Sequence, residues 1–96
     1  MQLRFSDRAE RDVKELIRFG YSEYGFRFTI EYARQLRQRI AQLRELPFIG
    51  APRNDVRPGI RLLIFKAHNI PYRVTGQTVE IVRVVHRRAN WANLID

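Results

Sequence analysis

The first half of this chain contains two helical patterns in succession, and each pattern has a single apolar stripe. We predict helices over Asp7–Phe19 and Phe26–Leu46, joined by the short link Tyr21–Gly25. The stripe positions are Ala9, Val13, Leu16 and Ile17 in the first helix, then Ile30, Ala33, Leu36, Ile40 and Leu43 in the second. The short link predicts an antiparallel hairpin. Because each helix has only one apolar stripe, the hairpin needs a further surface to cover, most simply a sheet.

The ends of these helices are indicated by individual residues. Ser6 is a typical N-cap, and Asp7 in the first turn suits the helix dipole. Gly20 is predicted to end the first helix, and the second continues until Pro47 because no proline interrupts it earlier.

The second half of the chain is predicted to be β structure that follows a turn-rich loop, Pro47–Gly59. The predicted strands are Met1–Phe5, Ile60–Lys66, Ile70–Thr75 and Thr78–His86. Asn69 and the pair Gly76-Gln77 are predicted turns between the last three strands, so these form an antiparallel meander. The predicted fold class is α+β: an N-terminal strand, an antiparallel two-helix hairpin, and a three-stranded meander with the helices on one face.

The last strand is predicted to be apolar on both faces and therefore central. Strict alternation assigns Val79, Ile81, Arg83 and Val85 to one face, and Glu80, Val82, Val84 and His86 to the other. Pro71 in the preceding strand cannot donate a ladder hydrogen bond, so that end of its strand is predicted to be an edge or distorted.

Length and composition exclude several classes of protein. With 96 residues the chain is predicted to be a single domain, residues 1–96. The absence of cysteine excludes a disulfide scaffold and a thiolate metal site, and 2 histidines make a zinc site unfavourable. We therefore expect no metal and no cofactor. No apolar run is long enough to span a bilayer, and the N-terminus lacks the apolar core of a signal peptide, so we expect a cytoplasmic protein without a membrane partner.

The charge balance favours an anionic partner. The net charge is +8, and only Lys14 and Lys66 are lysines among the 18 cationic residues. Arginine keeps its charge when half-buried and matches carboxylate or phosphate groups. The partner could be nucleic acid, an acidic protein segment or a machine bound to nucleic acid, and the alternative is simply a well-solvated surface.

A series of short motifs narrows the fold to one superfamily. In order, they are Pro47-x-x-Gly50-x-Pro52-Arg53, Pro58-Gly59-Ile60-Arg61, His68-x-Ile70-x-Tyr72-Arg73, and the run from Val79 to Arg88 that ends Arg83-Val84-Val85-His86-Arg87-Arg88. Tyr24-Gly25 and Tyr32 in the helices fit as well. The series resembles the RelE/ParE superfamily of toxins over nearly the whole chain, and its arginine-rich ending resembles the ParE branch.

The resemblance implies the toxin of a type II toxin–antitoxin pair. Such toxins are held inactive by an antitoxin, here ParD-like or of another family, whose tail wraps the toxin. Toxin–antitoxin pairs of this type usually assemble with two or more copies of each chain, so the resemblance implies a heterotetramer or a larger complex. RelE-like members cut mRNA on the ribosome, whereas ParE-like members poison DNA gyrase and stall replication.

The residues help to choose between these two branches. Metal-free RNA cleavage needs a base, cations on the phosphate and an acid. If the chain is a nuclease, Arg61, His86, Arg87 and Arg88 are its candidate catalytic residues. However, RelE-like toxins resemble one another in carrying charged groups early in the second strand and an arginine at the opening of the third. This chain has Leu63 two residues after Arg61, and Asn69 at the opening of the third strand. We therefore expect a non-enzymatic gyrase inhibitor, with a ribosome-dependent nuclease and an inactive toxin-fold module as alternatives.

The candidate residues for binding the antitoxin or target are Arg53, Arg57, Arg61, Arg83, His86, Arg87, Arg88 and Trp91. Several also have a structural interpretation. Arg61 could pair with Asp55 or a helix carboxylate, and Arg83 could pair with Glu10, Glu15 or the antitoxin. His86 could be a hydrogen-bonded histidine at a strand end, Trp91 could pin the tail by packing, and the neighbours Arg87 and Arg88 should point to different sides.

Overall fold

A computed structural model describes residues 1–95 of the chain. Helix α1 spans Asp7–Tyr24 and helix α2 spans Phe26–Ala41, followed by a 3-10 turn at Gln42–Arg44. The strands are β1 Gln2–Phe5, β2 Ala51–Pro52, β3 Ile60–Phe65, β4 His68–Thr75, β5 Thr78–Ile81 and β6 Val85–His86. A second 3-10 turn, Trp91–Asn93, lies in the C-terminal tail.

Helix α1 begins as predicted but ends later than predicted. The Ser6 side chain accepts a hydrogen bond from the backbone N–H of Ala9 at 3.0 Å. Gly20 does not end the helix, because the helix continues to Tyr24 and stops at Gly25, whose φ is 84°. Glycine is needed at position 20 because of packing: a Cβ there would lie 2.6 Å from the Thr29 hydroxyl of α2. It therefore permits close packing of the two helices, and the link between them is a single residue.

Helix α2 ends earlier than predicted. The regular helix stops at Ala41, and the chain tightens into the 3-10 turn before Pro47. Leu43 in this turn is fully buried, so the apolar stripe continues although the α-helix does not. Proline disfavours the helical conformation of the residue before it, which explains why the helix does not reach Leu46.

The sheet has six strands in the order β1-β5-β4-β3-β2, with β6 paired to β4. β1 runs parallel to β5, and the other pairs are antiparallel. The predicted meander is confirmed as β3-β4-β5. Two details were wrong: the turn between β3 and β4 is Lys66-Ala67 while Asn69 belongs to β4, and the loop predicted at 47–59 contains the short edge strand β2.

The predicted strand Thr78–His86 is broken by a bulge opposite Pro71. Two residues of β4, Ile70 and Pro71, face three residues between β5 and β6. The Pro71 carbonyl accepts from the N–H groups of both Val82 and Arg83, at 2.9 and 3.4 Å. The distortion expected at Pro71 is therefore present.

The bulge reverses the predicted alternation of the faces. The extra residue puts Val84 in the core beneath the helices with Val79 and Ile81, whereas Val85 lies in a second cluster. His86 consequently pairs with His68, whose β3 partner Phe65 also packs against the helix-side core. The face assignment of Val84, Val85 and His86 from strict alternation was therefore wrong.

Apolar residues cover both faces of the sheet. The helices bury one face, with Leu36, Ile40, Leu63 and Tyr72 among its most buried side chains. The loop before β3 and the C-terminal tail cover part of the other face. Trp91 is buried in this second cluster with Ile60, Leu62, Val85 and Ile95. The predicted packing role of Trp91 is therefore what the structure shows.

Arg83 in the bulge forms a buried ion pair with Asp12 of α1. Its Nε lies 2.7 Å from Asp12 Oδ2, and its Nη2 lies 3.0 Å from Asp12 Oδ1. Asp12 Oδ2 also accepts from the N–H of Val84, and Arg83 Nη1 donates to the carbonyl of Leu94. The partner is therefore Asp12, and not Glu10 or Glu15 as the sequence suggested.

We expect Asp12→Asn to lower the free energy of unfolding by about 3–5 kcal/mol, because the substitution removes a buried negative charge that both the Arg83 guanidinium and the N–H of Val84 contact. Urea denaturation monitored by circular dichroism measures this. Asp55→Asn is the matched control, since it removes the carboxylate of an exposed pair with Arg53 and should change stability little. Equal losses in the two variants would contradict the role given to the buried pair.

Candidate functional site

A groove of about 800 Å³ separates the helical hairpin from the turn between β3 and β4 and from the segment after the bulge. Aromatic side chains form its helix wall, in the order Phe19, Tyr24, Phe28 and Tyr32. Successive ring centroids are 6.3, 5.3 and 6.2 Å apart. Phe28 and Tyr32 are four residues apart on α2, so they lie on one side of that helix, and Tyr24 at the end of α1 packs against Phe28. Phe19, Tyr24 and Phe28 are more than half exposed, which leaves a continuous aromatic surface uncovered.

The inner end of the groove is a cluster of Tyr32, His68 and His86. The Tyr32 hydroxyl accepts from the N–H of Ala67 at 3.3 Å and lies 2.7 Å from His68 Nδ1, to which it can donate. The His68 and His86 rings meet edge to face, with centroids 5.6 Å apart. His86 Nδ1 accepts from the N–H of Arg88. The hydrogen bonds of Tyr32 tie α2 to the β3–β4 turn and β4, and the ring contact adds β6 to the cluster.

Burial, together with a smaller effect of the neighbouring His86, lowers the pKa of His68 to about 4. Burial also raises the pKa of the Tyr32 hydroxyl, against the opposing effect of the Ala67 hydrogen bond. Near neutral pH both groups are therefore uncharged. Neutral His68 keeps Nδ1 free to accept from Tyr32, so these two residues present an uncharged aromatic surface to the groove.

Charged groups line the groove from both of its walls. Asp12 and Glu15 belong to α1, whereas Arg83 and Arg88 belong to the segment from the bulge onwards, and Arg83 and Asp12 form the buried pair. Val84, Val85 and Ala89 supply apolar surface on the wall opposite the helices. The groove is therefore mainly apolar, with a few charged groups along it.

The structure brings three of the sequence-predicted residues together at this groove: Arg83, His86 and Arg88. Arg87 is exposed, and its backbone N–H donates to the carbonyl of Ala67, so only Arg88 of the two neighbours lines the groove. This agrees with the expectation that the two arginines point to different sides.

Arg53, Arg57 and Trp91 lie elsewhere, around the tail on the other face of the sheet. The Arg53 guanidinium lies 5.2 Å from the centroid of the Trp91 ring and also pairs with Asp55. Arg57 donates to the carbonyl of Ile95 at 3.4 Å. These residues hold the tail and the preceding loop in place.

Arg61 is also separated from the groove. It pairs across the strands with Tyr72, whereas His86 pairs with His68, four residues away along β4. At ~3.3 Å per residue the separation along the sheet is about 13 Å. Arg61 donates to the carbonyls of Phe48 and Gly50, so its expected pairing with Asp55 or a helix carboxylate was wrong. The four candidate nuclease residues do not form one site.

Sequence reasoning missed the aromatic wall, and Phe28 above all. The available signal was the interval of four between Phe28 and Tyr32, which places two aromatic side chains on one face of α2 outside its apolar stripe. Within residues 1–95 no group of three or more His, Asp or Glu side chains is arranged to hold a metal ion. The same part of the chain has no helix with the length and apolarity needed to cross a membrane.

The fold and the sequence define the class of protein. A solved structure of the chromosomal ParDE TA system from P. aeruginosa has the same fold, with a TM-score of 0.80 and 22% identity over 90% of this chain and 95% of that one. The family model described as the ParE toxin of the type II toxin–antitoxin system parDE matches residues 3–91.

Curated relatives agree with this match. Toxin ParE1 of Caulobacter vibrioides is 34% identical over 87 residues, which cover 91% of this chain and 90% of the relative. Toxin ParE1 of Mycobacterium tuberculosis is 34% identical over 84 residues, or 86% of each chain. The chain therefore belongs to the ParE toxin family, as its motif series predicted, and is the toxin component of a type II toxin–antitoxin system.

We expect the stability of the folded protein to fall as the pH is lowered from about 6.5 to 4, in part because of His68. In this window the unfolded chain binds a proton on His68 while the folded chain does not, so unfolding is favoured. The midpoint of urea unfolding at several pH values measures this. His68→Gln should make stability less dependent on pH in this window, and an unchanged dependence would contradict the assignment.

Proposed function

We propose that this toxin inhibits DNA gyrase by binding and is neutralised by a cognate antitoxin whose segment occupies the aromatic groove. The gyrase target is what the resemblance to the ParE branch implies. The observation that carries the proposal is the match to the ParE family over residues 3–91, in a chain where Arg61 is separated from the other candidate nuclease residues. Because gyrase acts on chromosomal DNA, the proposed place of action is the cytoplasm.

Binding without catalysis is supported by the roles of Arg61 and His86. Two carbonyl groups accept from the Arg61 guanidinium, which also stacks on Phe48. His86 Nδ1 accepts from the backbone N–H of Arg88. Arg61 and His86 are about 13 Å apart along the sheet, so these two residues do not fit one phosphodiester.

The groove suits an amphipathic antitoxin segment. Its aromatic wall offers pockets for apolar side chains, as in recognition of a helix by an apolar groove. The net charge of +8 and the exposed Arg88 at the rim favour acidic residues on the other side of such a segment. A ParD-like antitoxin and a heterotetramer or larger assembly are the partner and stoichiometry that we propose from the resemblance.

Assays of supercoiling and DNA cleavage with purified gyrase test the proposed target. We expect the toxin to trap cleaved DNA on gyrase, and His86→Ala to retain this effect because His86 has no chemical role in it. If the folded toxin leaves gyrase unaffected but cuts mRNA on translating ribosomes, and His86→Ala abolishes the cutting, the nuclease alternative is correct. Harmless overexpression of the folded toxin without antitoxin would favour an inactive module.

We expect Phe28→Glu to weaken binding of the antitoxin at least 10-fold, because it places a carboxylate in the aromatic wall against an acidic segment. Titration calorimetry with the cognate antitoxin measures the affinity. Phe26→Glu is the matched control: Phe26 is exposed to a similar degree, at 66% against 56%, and lies on the same helix, but it stacks on Tyr21 and does not line the groove. Similar losses for both variants would place the antitoxin elsewhere on the hairpin.

A further inference from the structure

A second apolar surface lies at the far end of the sheet, on the loop between the 3-10 turn and β2. Leu46, Phe48 and Ile49 are 56%, 59% and 41% exposed, and we call residues 46–49 the apolar loop. It packs beside Arg61 and Tyr72, whereas the groove ends at His68. The apolar loop and the groove are therefore separated by about 13 Å along β4.

A buried tyrosine holds the backbone of the apolar loop. The Tyr72 hydroxyl donates to the carbonyl of Pro47 at 2.8 Å and accepts from the N–H of Gly50 at 2.9 Å. The Tyr72 side chain is fully buried, so these bonds are shielded from water. Gly50 is required at this contact, because a Cβ there would lie 2.5 Å from the Tyr72 ring. Pro47 in the loop and Gly50 directly after it are thus both fixed to the central strand β4.

Arg61 fixes the middle of the same loop. Its Nη1 donates to the carbonyl of Phe48 at 3.0 Å and to that of Gly50 at 2.8 Å. Its guanidinium also lies 4.9 Å from the centroid of the Phe48 ring. A loop held by four hydrogen bonds and a cation–π contact loses little further conformational entropy when it binds a partner.

The side chains that this network presents do not serve the core. Leu46, Phe48 and Ile49 point to solvent, and folding alone would favour polar residues there. A preorganised backbone that displays adjacent apolar side chains is what an interaction site needs. The basic residues Arg44 and Arg61 flank the loop, with Glu45 as the neighbouring acid. The flanking charge is complementary to a partner surface with an acidic rim.

We propose that the apolar loop inserts into an apolar pocket with an acidic rim on the toxin's target protein. The inference rests on the proposed function, in which the toxin acts by binding. A short rigid loop matches a preformed pocket in a folded protein, whereas the long open groove matches a flexible antitoxin segment. The two partners therefore use different surfaces of the toxin.

Phe48→Glu tests the proposal, with Ile64→Glu as the matched control. Both residues are 59% exposed, and Ile64 lies on β3 away from the apolar loop. We expect Phe48→Glu to raise at least 10-fold the toxin concentration needed to trap cleaved DNA on gyrase, and to abolish growth arrest on overexpression. Its antitoxin affinity should stay within twofold of the parent, and Ile64→Glu should match the parent in all three measurements.

Ile49→Glu is a second variant in case the first disturbs the stacking on Arg61, and circular dichroism verifies both folds. The proposal is overturned if folded Phe48→Glu and Ile49→Glu retain growth arrest, or if they lose antitoxin affinity instead. Growth arrest tests the apolar loop whichever protein is the target, because it is measured without gyrase. If the parent arrests growth without affecting gyrase, the gyrase proposal fails. Loss of arrest in the loop variants, but not in Ile64→Glu, would then still support the apolar loop as the target contact.

Discussion

The buried pair of Arg83 and Asp12 joins three parts of the molecule that are far apart in sequence. Asp12 belongs to α1, Arg83 lies in the bulge after β5, and the same guanidinium donates to the carbonyl of Leu94 in the tail. The Asp12 carboxylate also accepts a hydrogen bond from the N–H of Val84, so the arginine and this N–H together compensate most of its negative charge. Because burial of an unpaired charge is strongly unfavourable, the helix, the bulge and the tail must adopt their positions together. The groove between the hairpin and the segment after the bulge depends on this arrangement.

The bulge has a local cause and a distant consequence. Pro71 has no N–H to donate, and its carbonyl accepts from two successive residues of the opposing segment. The extra residue inverts the alternation of side chains after it, since the strand period is two. His86 thereby reaches the helix side of the sheet, beside His68 and Tyr32. A single proline in β4 thus decides which side chains form the inner end of the groove.

The sequence predicts well those features that depend on local patterns. The N-cap at Ser6, the meander and the apolar stripes follow from spacing and turn residues, and the structure confirms them except at Ile30, which is 42% exposed while its neighbour Thr29 is buried. Features that depend on tertiary packing were missed. Gly20 is typical of a helix end, but contact with Thr29 explains it. Asp12 lies in the apolar stripe between Ala9 and Leu16. A carboxylate is tolerated there because it pairs with Arg83, which is 71 residues away in the sequence, so the sequence pattern alone does not reveal the reason. The inner end of the groove was not predictable, because the bulge places Val84 and His86 on the face opposite to the one that regular strand alternation assigns to them.

The groove and the apolar loop have different physical characters, which bears on how neutralisation can work. The groove is long and lined by rings that pack on one another, whereas the loop is short and held by Tyr72 and Arg61. Both are attached to β4, so one rigid strand fixes the distance between them. An antitoxin segment that fills the groove leaves the loop uncovered unless it continues for about four more extended residues along the sheet. Blocking of the target by occlusion therefore requires a longer wrapping segment, or a partner whose own bulk covers the loop.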